Sequence, residues 1–132
     1  MAQRRMFSKR ITDTDIFTDM PLSSQCLYFH LNMNADDDGF VDKVKRVKTM
    51  IGASDDDLKL LLSKGFLIPF ETGIVVIKNL KIHNYIQKDR YQPTIYQEEK
   101  QMIIESESGA YAECIQGGYI PDTQVRLGKD RL

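Results

Sequence analysis

An α+β fold, mainly α, is the class this 132-residue sequence predicts, and three observations predict it. Apolar residues recur at helical spacing in "PLSSQCLYFHLNMNA". Two short amphipathic stretches, "DKVKRVKTMI" and "DDDLKLLLSKG", meet through the tight turn "GAS". Two runs rich in β-favouring residues, "FLIPF" and "GIVVIKNL", flank "ETG", a plausible hairpin connection. The resulting order is helix, short strand, helix, turn, helix, hairpin. That is the plan of a winged helix-turn-helix with a two-stranded wing, followed here by a C-terminal extension.

Each element has a local reason. "TDTDIFTDM" predicts a short helical turn capped by Thr12 or Asp13. In the first long helix Pro21 suits the first turn, and Leu22, Cys26, Phe29 and Met33 recur on one face, with Leu27 and His30 beside them. "GFV" predicts a very short strand. In the next helix Val44, Val47 and Ile51 mark the buried face, and Gly52 is the stop. Ser54 is a good N-cap for the third helix, and Asp55, Asp56 and Asp57 complement the dipole in its first turn. Leu58, Leu61 and Leu62 form its core stripe, and Gly65 ends it. Tyr91-Gln92-Pro93 breaks regular structure, and "YQEEKQMIIES" predicts the start of another helix. From Ser106 onward the chain is polar and Gly-rich, without periodicity. The expected division is a basic arm over 1–12, the winged domain over 13–87, and over 88–132 an extension with a mobile tail, the place where a longer protein would be cut.

Composition bounds the function. A chain with 42% hydrophobic residues and a net charge of −1 suits one globular domain, so any nucleic-acid partner must be argued from local clusters. Cys26 falls in an apolar helical pattern and Cys114 in the polar tail, with no CxxC spacing, which points away from zinc and toward a reduced, intracellular setting. The N-terminus lacks an apolar run of signal-peptide length, and no segment is long enough to span a membrane.

The stretch "NADDDGFVDKVK" has much of a calcium-loop pattern, with Asn34, Asp36 and Asp38 alternating before Gly39, and Asp42 at the ninth position. The twelfth position, where a bidentate glutamate belongs, is Lys45. A cation there removes two oxygen ligands, so the stretch is expected to be a polar turn and no metal is expected. His30 is expected to be partly buried. His83 and Asn84 lack further metal ligands, Ser23 and Ser24 lack a paired base, and no Gly-rich phosphate loop is present. No catalytic constellation or cofactor site emerges, and the chain is not expected to be an enzyme.

The segments "MAQRRMFSKRITDTDIFTDMPLSSQCLYFHLNMNADDDGFV" and "MIGASDDDLKLLLSKGFLIPF" resemble the N-terminal domain of phage replisome organisers, related to DnaD-like replication initiation proteins. The resemblance runs from about Met1 to Lys100. It implies a winged-helix domain in phage or prophage DNA replication, which binds origin duplex DNA in the cytoplasm of a bacterial host. It also implies, as alternative partners, a second copy of the chain or a host helicase loader or helicase. In that family a second domain usually follows.

Basic residues cluster in a way that suits DNA. The arm carries Arg4, Arg5, Lys9 and Arg10, and the helix before the tight turn carries Lys43, Lys45, Arg46 and Lys48. The third helix adds Lys59 and Lys64. The wing exit and beyond add Lys78, Lys81, Lys88 and Arg90, with His83, Asn84, Tyr85 and Tyr91 interleaved. Lys and Arg on phosphates supply non-specific affinity, and a basic arm beside a helix-turn-helix can enter a minor groove. A plain solvated surface is the competing reading of each cluster. One feature opposes the simplest geometry: the end of the third helix that would read a major groove is Ser54 followed by three aspartates, whose charge repels phosphate. The acidic helix keeps open a second reading, an interaction module of the same fold.

Overall fold

The structure is a computed structural model and describes residues 4–106 and 109–113. Two single-turn helices, α1 (Lys9–Thr12) and α2 (Asp15–Thr18), lead into α3 (Leu22–Met33). Strand β1 (Phe40–Val41) precedes α4 (Val44–Ile51) and α5 (Asp55–Ser63). Strands β2 (Leu67–Pro69) and β3 (Val75–Ile77) follow, then α6 (Leu80–His83), α7 (Gln97–Lys100), β4 (Ile103–Glu105) and β5 (Tyr111–Glu113). The fold mixes helix and sheet, as predicted. Strands β1, β3 and β2 form an antiparallel sheet in that order, with Phe40 opposite Val76 and Ile68 opposite Val76 on the other side. Strands β4 and β5 pair separately, Ile104 opposite Ala112. Among the described residues no helix is long and apolar enough to cross a membrane.

The sheet is buried on both faces, and alternation along each strand assigns the residues. Val41, Leu67, Val75 and Ile77 join the helices in the main core, around Phe17, Leu27, Tyr28, Leu31, Val47, Leu61 and Leu80. Phe40, Ile68, Ile74 and Val76 face the other way, against Ile103 of β4 and Tyr111 of β5. The stretch after residue 88 therefore supplies the cover of one sheet face. At the centre of the main core Phe17, Tyr28 and Phe66 meet edge to face at centroid separations of 5.3 to 5.5 Å, the arrangement that the ring quadrupole favours.

Several expectations need correction. The buried face of α3 is Ser24, Leu27, Tyr28, Leu31 and Asn32; Leu22 is 81% exposed, Met33 is exposed, and Cys26 is exposed rather than in the core. The apolar pattern misled because two polar residues lie on the inner face, each donating a hydrogen bond there. Ser24 donates to Asp57 at 3.0 Å, and the Asn32 amide donates to the Tyr28 carbonyl at 2.8 Å. The caps of the first two turns are Ser8 and Thr14, not Thr12 or Asp13. The helix expected in "YQEEKQMIIES" is the single turn α7, after which β-branched Ile103 and Ile104 enter a strand. The tail beyond residue 113, with Cys114, lies outside the described residues.

The tight turn behaves as read. Gly52 adopts the left-handed conformation, φ 77°, that ends α4, and Ser54 caps α5. The cap is a reciprocal box. Asp57 N–H donates to Ser54 Oγ at 3.2 Å, and Ser54 N–H donates to Asp57 Oδ2 at 2.9 Å. The other oxygen of Asp57 accepts from Ser23 at 2.7 Å and from Ser24, so one carboxylate ties α5 to α3. The Ser23 hydroxyl and the Ser54 N–H hold the Asp57 carboxyl below the usual carboxylate range. Asp57→Ala is expected to cost about 2–3 kcal/mol, a lost cap plus a buried Ser24 hydroxyl without an acceptor. Urea unfolding measures it, and Asp57→Asn, which keeps one acceptor oxygen, should cost less.

Candidate nucleic-acid interface

The acidic turn is an inward anchor. Asp36 Oδ1 accepts from the backbone N–H groups of Asp38 and Phe40, which closes the turn. Asp38 is fully buried. Its carboxylate accepts from Tyr91 Oη at 2.7 Å and from Thr94 N–H at 2.8 Å, and the ammonium groups of Lys100 and Lys81 lie 3.4 and 3.5 Å away. Tyr111 Oη donates to the Asp38 backbone carbonyl at 2.8 Å. Burial by itself would raise the Asp38 carboxyl, but the hydrogen bonds from Tyr91 and Thr94 and the charges of Lys100 and Lys81 outweigh it and hold it below its ordinary value. Among the described residues no group of His, Cys, Asp and Glu is arranged to hold a metal ion.

Asp37 fastens the N-terminal arm. The Arg5 guanidinium is buried, donates to the Ala35 carbonyl at 2.7 Å, and lies 3.5 Å from Asp37, whose other oxygen accepts from Gln92 N–H at 3.0 Å. The arm is also held by Met6 N–H on Asn84 Oδ1 at 2.7 Å and Ser8 N–H on His83 Nδ1 at 2.8 Å. Because Nδ1 accepts, the imidazole proton sits on Nε2, 2.6 Å from Tyr28 Oη. Burial pushes the His83 pKa down to about 4.

A neutral buried His83 has a consequence for stability. Between its unfolded pKa near 6.5 and its folded value, the unfolded chain binds more protons than the fold. The stabilisation is thus complete above pH 6.5 and lost as pH falls toward 4. Acidification from pH 7 to pH 5 is expected to lower stability by about 1–2 kcal/mol, allowing for solvent screening. The melting temperature over that range checks this, and His83→Asn, whatever its own cost, should flatten the slope.

The predicted contact residues separate into three kinds. Arg4, Lys9, Arg10, Lys43, Lys45, Arg46, Lys59, Lys64, Lys88 and Arg90 are exposed. Arg5, Lys48 and Lys81 are engaged inside the molecule: Lys48 pairs with Asp55, and Lys81 pairs with Asp38 and Glu105. Lys78 is half-buried where Tyr111 N–H donates to its carbonyl. The arm is therefore not a free extension, and Arg5 is turned inward by its contacts with Ala35 and Asp37. Lys45 and Arg46 line a shallow groove of about 450 Å³ with Thr49 and Met50. Arg4 and Arg90, far apart in sequence, line one depression.

The carboxylates of α5 oppose phosphate less than their sequence implies. Asp57 points into the α3 contact, and Asp55 is beside Lys48, whose ammonium holds the Asp55 carboxyl below the usual range. Asp56 is the one left in that turn whose carboxylate has neither an ion pair nor a hydrogen bond among the described residues. The anchoring roles of Asp37 and Asp38 were missed in the sequence. The available signal was three acids in a turn, with tyrosines and lysines 40 to 70 residues later and no local partners. Comparison with protein-family models, with curated proteins and with solved structures gave no match.

Proposed function

We propose that the chain is a winged-helix module that binds duplex DNA, as the replication-initiation domains it resembles do at phage origins. The β1–β3–β2 sheet and the α4–turn–α5 pair support the winged-helix reading, with β2 and β3 as the wing. The observation that carries DNA binding is the outer face of α4. Lys43, Lys45 and Arg46 are exposed there and make no ion pair among the described residues, while Val44 and Val47 anchor the opposite face in the core. Exposed Lys59 and Lys64 on the neighbouring helix extend the positive surface. These side chains meet phosphate and position the module, and the uncharged side chains between them are free to meet bases. Fluorescence anisotropy with origin and random duplexes over a salt series tests the reading. A steep salt slope supports it, and no binding at low salt removes it.

One observation favours a second reading. Met50 is 64% exposed at the end of the same cationic face. An apolar residue there suits a protein contact, either self-association or recruitment of a host helicase loader or helicase. Light scattering over a concentration series separates self-association from a monomeric DNA binder.

A further inference from the structure

We infer a second nucleic-acid site, a groove for single-stranded DNA centred on Tyr85 and separate from the α4 face. Tyr85 is 82% exposed and stands on the rim shared by two depressions. One, of about 770 Å³, is lined by Arg4, Asn84, Arg90 and Gln92. The other, of about 510 Å³, is lined by Lys88 and Tyr91, together with Glu105 and its ion-pair partner Lys81. A large aromatic ring thus lies in solvent with cations on both sides.

The charges are available. Arg4, Lys88 and Arg90 are exposed and make no ion pair among the described residues. The segment 84–92 holds a single acid, Asp89, and Asp37, which lines both depressions, is paired with Arg5. The walls are held in place beforehand. Asp37 binds Arg5 of the arm on one side and Gln92 N–H on the other, and Asn84 Oδ1 accepts from Met6 N–H. A groove whose walls are set before binding loses little conformational entropy on binding.

This chemistry selects its ligand. A duplex keeps its bases stacked inside, so an exposed tyrosine on a concave rim has no base face to meet. A single strand offers unstacked bases to the ring and phosphates to the flanking arginines and lysine. That combination of aromatic platform and cationic groove is how sequence-tolerant single-strand binding works. Gln92 lines the groove, is exposed, and can bond to base edges. A module with both faces could hold duplex on α4 while it keeps a strand of opened DNA beside it.

The test uses a labelled oligothymidylate of about 12 nucleotides, which forms no duplex, and a labelled duplex of the same length in parallel. Anisotropy should show binding of the oligothymidylate at low salt. Tyr85→Ala is expected to weaken it about tenfold or more, whereas Tyr85→Phe keeps the ring and should hold it within about twofold. Arg4→Glu with Arg90→Glu should flatten the single-strand salt slope by about 1.4. Duplex affinity should be unchanged by the Tyr85 substitutions, and charge reversal on α4 should leave oligothymidylate binding intact. Tyr85 is exposed, so its variants should melt as the parent does. No oligothymidylate binding at low salt overturns the inference, as does a Tyr85→Ala variant that binds like the parent or a Tyr85→Phe variant that fails with it. Loss of duplex binding alone would remove the α4 reading and leave this one standing.

Discussion

Asp38→Ala is expected to remove about 3–5 kcal/mol of folding stability, the range found when one partner of a buried charge cluster is deleted. Four donors converge on this carboxylate from outside its own turn. Tyr91 and Thr94 give hydrogen bonds, and Lys81 and Lys100 give charge. Without the carboxylate, the buried Thr94 N–H has no acceptor there and two ammonium groups share a site with no counterion between them. Lys81 keeps Glu105 at 2.9 Å and its place 5.9 Å from the Tyr91 ring centroid, so its loss is partial. Lys100 is one-third exposed and can turn to water. The main cost therefore falls on the Tyr91 and Thr94 contacts and on the packing of Ile103 and Tyr111 that they hold against the sheet. Urea denaturation should show a lower midpoint. Protease digestion should cut first after residue 88, because Ile103 and Tyr111 lose their anchor while the helical core remains. Asp38→Asn keeps an acceptor for Thr94 and should cost less than alanine. An alanine variant within about 1 kcal/mol of the parent would show that the cluster holds no structure together.

Charge reversal of Lys43, Lys45 and Arg46 together is expected to weaken duplex binding by about a hundredfold to a thousandfold at low salt. Each phosphate contact adds about 0.9 to the slope of log affinity on log salt, so three lost contacts should flatten it by about 2.7. The fold should survive, since all three side chains are exposed and Val44 and Val47 carry the packing of α4. Lys48→Gln is the internal comparison. Its ammonium is paired with Asp55 and little exposed, so the slope should hardly change. Equal slopes for the triple variant and the parent would place the phosphate contacts elsewhere on the molecule.

Local chemistry was legible in the sequence wherever a residue acts on its own neighbourhood. The Gly52 stop, the Ser54 cap, the Val44 and Val47 stripe and the apolar hairpin runs are all consequences of backbone conformation and short-range periodicity, and they appear where they were read. The run "GIVVI" also carried a signal that went unread. An unbroken apolar strand, with no polar alternation, belongs to a sheet covered on both faces. Its cover is Ile103 and Tyr111, from a region that has no helical or strand periodicity long enough to announce itself.

The order of elements around the tight turn, the helix ends and the cations on α4 all follow from local sequence. Which charges remain available to a ligand follows from long-range packing instead. Arg5, Lys48 and Lys81 look like Arg4, Lys45 and Lys88 in composition, yet the first three are engaged by Asp37, Asp55 and Asp38. Likewise Ser24 and Asn32 could be read as solvent-facing until Asp57 and the Tyr28 carbonyl supplied their partners. The physical reason is common to both cases. A polar or charged group takes its place from the partner that satisfies it, and for Arg5, Lys81 and Ser24 that partner lies tens of residues away, where periodicity has no reach.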